Sequence, residues 1–202
     1  LLAAFYDLGV PKEVIEKPLL DLGLGGSYLL SFSEAKSRSL RGIKTNVKIL
    51  DNSQKRNWKD IKNLILKGNL EKKLEENIIE VFSILAKAES TVHGIAIEDV
   101  CFHEVGSIDS LVDIIGVCAA INFLSPKFIY CNAPTLGSGI TDTEHGKLSI
   151  PSPAVVDLIA KFNIEVCSET ELINDELSTP TGVAIICTLV NSFKLPIKYS
   201  LN

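Results

Sequence analysis

Ser107-Ile-Asp-Ser-Leu-Val-Asp-Ile-Ile-Gly-Val-Cys-Ala-Ala-Ile-Asn-Phe-Leu124 reads as a helix apolar over much of its surface, and Pro126 follows its end. Its charges, Asp109 and Asp113, lie four residues apart near the N-terminal end. A helix that is apolar on most sides must be surrounded by other elements. The fold is therefore expected to be layered around this segment.

The strongest helix by pattern lies just upstream, at Leu70–Ser90. Leu74, Ile78, Val81, Phe82, Leu85 and Ala88 make one stripe, and Lys and Glu fill the other face. Trp58–Lys67 repeats the helical spacing through Trp58, Ile61, Leu64 and Ile65 and stops at Gly68-Asn69. Leu1–Leu8 reads as the end of a helix, and Pro11 opens the next, with acidic residues in its first turn. Tyr28–Ala35 and Ile43–Leu50 are β-rich, with Gly42 placed as a turn or bulge. Ile97–Val100 is a short element, and Phe128–Cys131 and Ile164–Cys167 are strand candidates. Ala154–Phe162 and Gly182–Phe193 are the last helices. Ala133–Lys147 reads as a long Gly/Thr/Ser loop, a length that often carries function.

The expected class is α+β or irregular α/β, a mixed sheet packed with several helices. A strand-rich part (1–57) precedes a helix-rich, motif-bearing part (58–202), expected to form one continuous domain. The 202 residues, 46% hydrophobic and 22% charged, suit a globular chain with a real core. A net charge of -5 offers no footprint for nucleic acid. The basic run Lys36, Arg38, Arg41, Lys44 and Lys48 reads as a solvated strand face. No apolar run is long enough for a membrane span. Five cysteines, an odd number without CxxC spacing, argue against a disulfide framework or zinc ribbon and for a reducing cytoplasm. The chain opens at Leu1 and contains no Met, which suggests a fragment.

The chain has three His: His93, His103 and His145. His103-Glu104 stands just before a helix whose first turns carry Asp109 and Asp113 on one face. One imidazole and three carboxylates within eleven residues suit a divalent metal. The two Asp also suit the favourable end of a helix dipole, so the spacing leaves both readings open. His93 before Gly94 fits a helix C-terminus. His145 lies among Thr141, Asp142, Thr143 and Glu144, residues equally at home in a metal or phosphate loop and in a surface turn. Gly137-Ser138-Gly139 would let backbone amides approach an anion. Thr179-Pro180-Thr181-Gly182 opens a helix that could do the same, although ordinary capping explains those residues too.

These pieces together resemble a known family. Ala88-Glu-Ser-Thr-Val-His93-Gly94 is followed by Phe102-His-Glu-Val-Gly-Ser-Ile-Asp-Ser-Leu-Val-Asp-Ile114. Leu136-Gly-Ser-Gly139, His145-Gly-Lys-Leu148, Ile150-Pro-Ser-Pro-Ala154 and Glu176-Leu-Ser-Thr-Pro-Thr-Gly182 then come in order. The match, from residue 1 to about Phe193, is to the nickel-insertion proteins of lactate racemase cofactor maturation. The resemblance implies a CTP-dependent nickel chelatase, a lyase, acting on pyridinium-3,5-bisthiocarboxylic acid mononucleotide. Nickel would enter between two thiocarboxylate sulfurs and a pyridinium carbon.

On that footing His103, Glu104 and Asp109 are the expected catalytic residues. The expected metal set is His93, Cys101, His103, Glu104, Asp109, Asp113 and His145. Gly137, Ser138, Gly139, Thr179 and Thr181 are expected to hold phosphate. Cys101 stands where the family usually has His. CTP with Mn or Mg is expected to act through a C-terminal domain that this chain lacks, making that domain a candidate partner beside a homo-oligomer. Two rivals are a metal-dependent phosphohydrolase and a non-catalytic nickel-binding or assembly module.

Overall fold

Helix–helix packing sets the architecture. A computed structural model describes residues 1–51, 56–102, 106–143, 146–167, 175–196 and 198. Helix α1 spans Leu2–Asp7, α2 Lys12–Asp21, α3 Trp58–Lys67, α4 Lys72–His93 and α5 Ile108–Leu124. Helix α6 spans Pro153–Phe162 and α7 Pro180–Leu189, and a single 3-10 turn covers Ile97–Asp99.

The quoted run forms α5, as its composition predicts. Ile108, Leu111, Val112 and every residue from Ile114 to Ala120 are buried, while Asp109 and Asp113 face solvent. Each such aliphatic side chain contributes about 1.5–3 kcal/mol by leaving water. Helices α1 and α2 pack on one side of α5 and α4 on another. A Cβ at Gly116 would lie 2.8 Å from Ile15 and 2.9 Å from Leu2. Glycine at that point therefore lets the first two helices close on α5. The amphipathic α4 buries Leu74, Ile78, Val81, Phe82, Leu85 and Ala88, the expected stripe. It also packs against α3, α6 and α7. The core is one contiguous cluster running from Leu2 to Ile185.

The strands, among the described residues, pair as two antiparallel hairpins, giving an α+β fold. β1 (Tyr28–Ser37) and β2 (Leu40–Ile49) pair from Tyr28↔Ile49 to Ser37↔Leu40. The turn between them is Arg38-Ser39, both residues at positive φ (46° and 71°). Two left-handed central residues match the twist of paired strands. Gly42, expected at a turn or bulge, instead lies inside β2 opposite Ala35. A two-residue turn without Gly or Asn carries no composition signal, which is why the sequence misplaces it. The run expected as a loop at Ala133–Lys147 contains β3 (Gly139–Thr143) and the first residues of β4 (Gly146–Ile150). β3 is disguised because its half-buried face is the polar one, with Thr141 and Thr143, while the apolar Ile140 is exposed. Among the described residues, the strand candidates at Phe128–Cys131 and Ile164–Cys167 make only single parallel bridges, Tyr130↔Ser192 and Thr135↔Cys167.

Helix α3 starts with a capping box. The Asn57 side chain accepts from the Asp60 amide at 2.8 Å, and Asp60 accepts from the Asn57 amide at 3.3 Å. Replacing Asn57 with Ala is expected to lower stability by about 1 kcal/mol, read as a lower urea midpoint at unchanged slope.

Candidate functional site

The C-terminal end of α4, the N-terminal ends of α6 and α7 and the β3–β4 hairpin enclose a cavity of about 400 Å³. That is the size range of small-molecule and nucleotide sites. Helix α4 contributes Glu89, Val92 and His93. The helix stops there because Gly94 adopts the left-handed conformation (φ 64°) and the Ile95 amide bonds the Ser90 carbonyl. His93 Nε2 lies 3.3 Å from Glu89 Oε2, one turn back.

Phe102 forms another part of the wall. Its ring is buried and packs against Phe82, with centroids 6.3 Å apart and planes tilted by 59°. A Cβ at Gly106 would lie 2.8 Å from the Phe102 carbonyl oxygen, so the chain on either side of 103–105 is tightly apposed. Thr141, Asp142 and Thr143 of β3, with Leu148 of β4, line the hairpin side.

The two helix N-termini complete the wall. Ser152 caps α6 and Pro153 follows at its first position, with Ala154 next. Proline there sacrifices no hydrogen bond. The Ser152 hydroxyl oxygen is buried and has no hydrogen-bond partner among the described residues. Thr179 caps α7, accepting from the Gly182 amide at 3.2 Å, and approaches the Thr181 hydroxyl at 3.1 Å. Pro180 lines the cavity, as does Glu176. Gly137, at φ +80°, bridges Glu176, and the Ser178 hydroxyl donates to the Thr135 carbonyl at 2.7 Å. The Gly137–Gly139 segment thus meets the residues just before Thr179–Gly182, but none of Gly137, Ser138, Gly139, Thr179 and Thr181, the residues expected to hold phosphate, is part of the described lining.

The described wall carries Glu89 in contact with His93, the carboxylates of Asp142 and Glu176, and two helix N-termini, whose partial positive charge favours anions. No Lys or Arg lines it among the described residues.

Of the residues expected to ligate metal, His93 reaches this cavity. His103, Glu104 and His145 lie outside the described residues; Phe102, which precedes His103, and Thr143, two positions before His145, both line the wall. Cys101, Asp109 and Asp113 are not part of the described lining. Cys101 is half-buried and its backbone bridges Asn57 ahead of α3. Asp109 is held by the Ser107 hydroxyl in the first turn of α5. Asp113 sits one turn further along. Desolvation holds its carboxyl above the usual range, and the Asp109 charge adds to this. Among the described residues, no group of three or more His, Cys, Asp or Glu is arranged to hold a metal ion.

Sequence reasoning passed over Glu89, Glu176 and Ser152. Glu89 had a signal, since it stands four residues before His93 on a helix and so shares its face. Glu176 and Ser152 had none beyond their place in the motif string.

The five cysteines are free. Burial pushes the Cys118 and Cys187 thiols up to about 12, which leaves both unreactive at neutral pH. No described helix is long and apolar enough to cross a membrane.

A family model described as nickel insertion protein matches residues 1–202. The chain belongs to this family. A relative named for nickel insertion from a Cyanothece species is 38% identical over 200 residues, covering 96% of this chain and 48% of that protein. A similarly named Geobacter metallireducens protein is 36% identical over 192 residues, with 95% and 48% covered. The pyridinium-3,5-bisthiocarboxylic acid mononucleotide nickel insertion protein of Clostridium kluyveri is 31% identical over 212 residues, with 99% and 52% covered. The chain spans about half the length of the curated relatives it matches. No solved structure matches it. The fold brings residues from several of the quoted motifs to one cavity.

Proposed function

We propose that this chain holds nickel and a pyridinium bisthiocarboxylate mononucleotide during nickel insertion, with the α4–α6–α7 cavity as the meeting place. The observation that carries this reading is convergence. His93, Phe102 beside His103, Thr143 near His145, Ser152–Ala154, and Glu176 with Pro180 are far apart in sequence and line one cavity. A wall that carries both kinds of group suits such a substrate. Carboxylates and imidazole favour the metal and the cationic ring, and the helix N-termini with the unpartnered Ser152 hydroxyl favour a phosphate.

In this reading His93, His103, Glu104 and His145 are the nickel donors. Imidazole and carboxylate are harder donors than thiocarboxylate sulfur, so nickel passes downhill to the softer sulfur pair. Forming a bond from nickel to the ring carbon displaces that carbon's proton, and Glu104 or a neighbouring imidazole accepts it. Asp109 and Asp113 serve the α5 N-terminus and the charge around it rather than the wall. The described wall does not fit CTP with its divalent cation. It has no Lys or Arg to neutralise a triphosphate and three carboxylates to repel one, and no step is derived through that nucleotide. The same absence disfavours the phosphohydrolase reading.

Calorimetry of the full chain with Ni(II), against Mg(II), Mn(II) and Zn(II) as competitors, tests the proposal. Stoichiometric nickel binding is expected. Changing His103 to Ala should cut the affinity at least about tenfold, the usual scale for losing one group of a metal site, with the far-UV circular dichroism unchanged. Full affinity in that variant would remove His103 from the site. Nickel binding without transfer to the mononucleotide would favour a carrier or assembly role.

A further inference from the structure

A side chain near the C-terminal end of α6 ties that helix to α4. The Lys161 ammonium, in the last turn of α6, donates to the Thr91 hydroxyl of α4 at 2.8 Å. Thr91 in turn donates to the Lys87 carbonyl, one turn back on its own helix, at 2.9 Å. A hydroxyl has one proton, so towards Lys161 it can only accept, which is what an ammonium requires. Lys161 Nζ also lies 2.8 Å from Asp157 Oδ2, one turn back on α6, and the Asp157 side chain is 15% exposed. That ion pair anchors the flexible lysine stem against its own helix.

The needs of the two helices do not account for the bond between them. Left-handed Asn163 already closes α6, with the Asn163 amide on the Ala160 carbonyl and the Ile164 amide on the Ile159 carbonyl. The Lys161–Asp157 pair would serve α6 without Thr91. The place of the bond is informative. Thr91 stands between Glu89 and His93, which with Val92 are the α4 share of the cavity wall. At its other end α6 supplies Ser152, Pro153 and Ala154 to the same wall. Along a helix, Ser152 and Lys161 are separated by roughly 14 Å. Between these ends α6 buries Ala154, Val155 and Leu158, and it packs on α4. Apolar contacts are non-directional. They decide which face α6 turns to α4 but set its tilt and axial position less sharply than a directed bond does.

We propose that Lys161 is a positioning residue that grips Thr91 and so fixes the separation of two cavity walls, the α4 turn carrying His93 and the α6 N-terminus. It touches neither nickel nor substrate. This rests on the reading of the cavity as the meeting place of nickel and the mononucleotide. A ligand held by one wall is then indifferent to the tie, and a ligand spanning both depends on it.

Lys161→Met in the full chain tests this, because it removes the donor and keeps the apolar stem. It is expected to weaken binding of the nickel-free mononucleotide by about 3- to 10-fold, the scale of one hydrogen bond, and to leave the affinity for Ni(II) alone unchanged. Thr91→Val, which keeps the shape and removes the acceptor, should match it. The double variant should lose no more than either single one, and Lys161→Arg should retain binding. An equal loss for Ni(II) alone would make the role merely structural and overturn the proposal, as would additive losses or unchanged mononucleotide affinity in Lys161→Met. If the unaltered chain binds no nickel or no mononucleotide, the reading of the cavity fails separately, and the ligand-free protein still decides the tie. With spin-labelled unnatural residues replacing the exposed Ile95 and Val156, the label-to-label distance distribution should be narrow with Lys161 present, broadened in Lys161→Met and narrow again in Lys161→Arg. One distribution shared by all three would refute the positioning role.

Discussion

Changing Phe102 to Ala is expected to destabilise the chain by about 3–5 kcal/mol, the range for removing a buried aromatic ring from a core. Phe102 is 2% exposed and meets Phe82, itself fully buried on the inner stripe of α4. A tilted aromatic pair at this distance adds about 0.5–1.5 kcal/mol beyond the area it buries. Phe82→Ala alone should cost a similar amount, and the double variant should cost less than the sum, because the second deletion removes a partner already lost. Urea unfolding of the four proteins gives that coupling. The functional consequence is separate. Phe102 anchors the chain directly before His103, and Phe102→Leu keeps most of the buried volume. A folded Phe102→Leu variant with weakened nickel binding would show that the ring sets the position of the following residues. Additive losses in the Ala cycle would mean that the two rings only fill space independently.

Gly137→Ala is expected to have the second large effect, for a different reason. A Cβ there would lie 2.0 Å from the Asp175 carbonyl oxygen and 3.1 Å from the Leu177 amide nitrogen. Both are backbone atoms, so no side-chain rotation relieves the clash. The residue also sits at φ +80°, which costs a side-chain-bearing residue about 1–3 kcal/mol. The Gly137↔Glu176 bridge must therefore open. That withdraws Glu176 from the cavity wall and parts the Gly137–Gly139 loop from the segment that caps α7. The core of α4 and α5 is remote from the clash, so the helical circular dichroism should persist while binding of the mononucleotide is lost. Gly42→Ala is the control, since a Cβ there meets nothing within 4 Å. Equal binding by the Gly137 and Gly42 variants would show that the bridge plays no part in the site.

How much of this was legible beforehand follows from the range of the interactions. Helices α3, α4 and α5 were readable because a helix writes its buried face into the spacing of one contiguous segment. Trp58–Lys67 matches to the residue, and α4 runs three residues beyond its expected end, through His93 to Gly94. The hairpins were less readable. The turn at Arg38-Ser39 has none of the usual turn residues, and β3 is built from Thr and Asp that resemble a loop. A strand is specified as much by its partner as by its own residues, so a single segment carries only half of the signal.

The same division applies to the candidate site. The sequence by itself determined family membership, through an ordered string of motifs, and it determined the helical core, through local periodicity. It also brought out His93, the Gly137 loop and the Thr179 cap. Only the tertiary structure decided which of these share a wall. It placed His93 with Glu89, Glu176 and Ser152, and joined Gly137 to Glu176. It also left Asp109 and Asp113 on the solvent side of α5, although one short segment carries them together with His103. Sequence proximity puts residues near one another along the chain, but a helix turns each side chain by about 100° per residue. Which faces then meet depends on how whole helices pack, and that is set by the burial of the core rather than by the residues of the site.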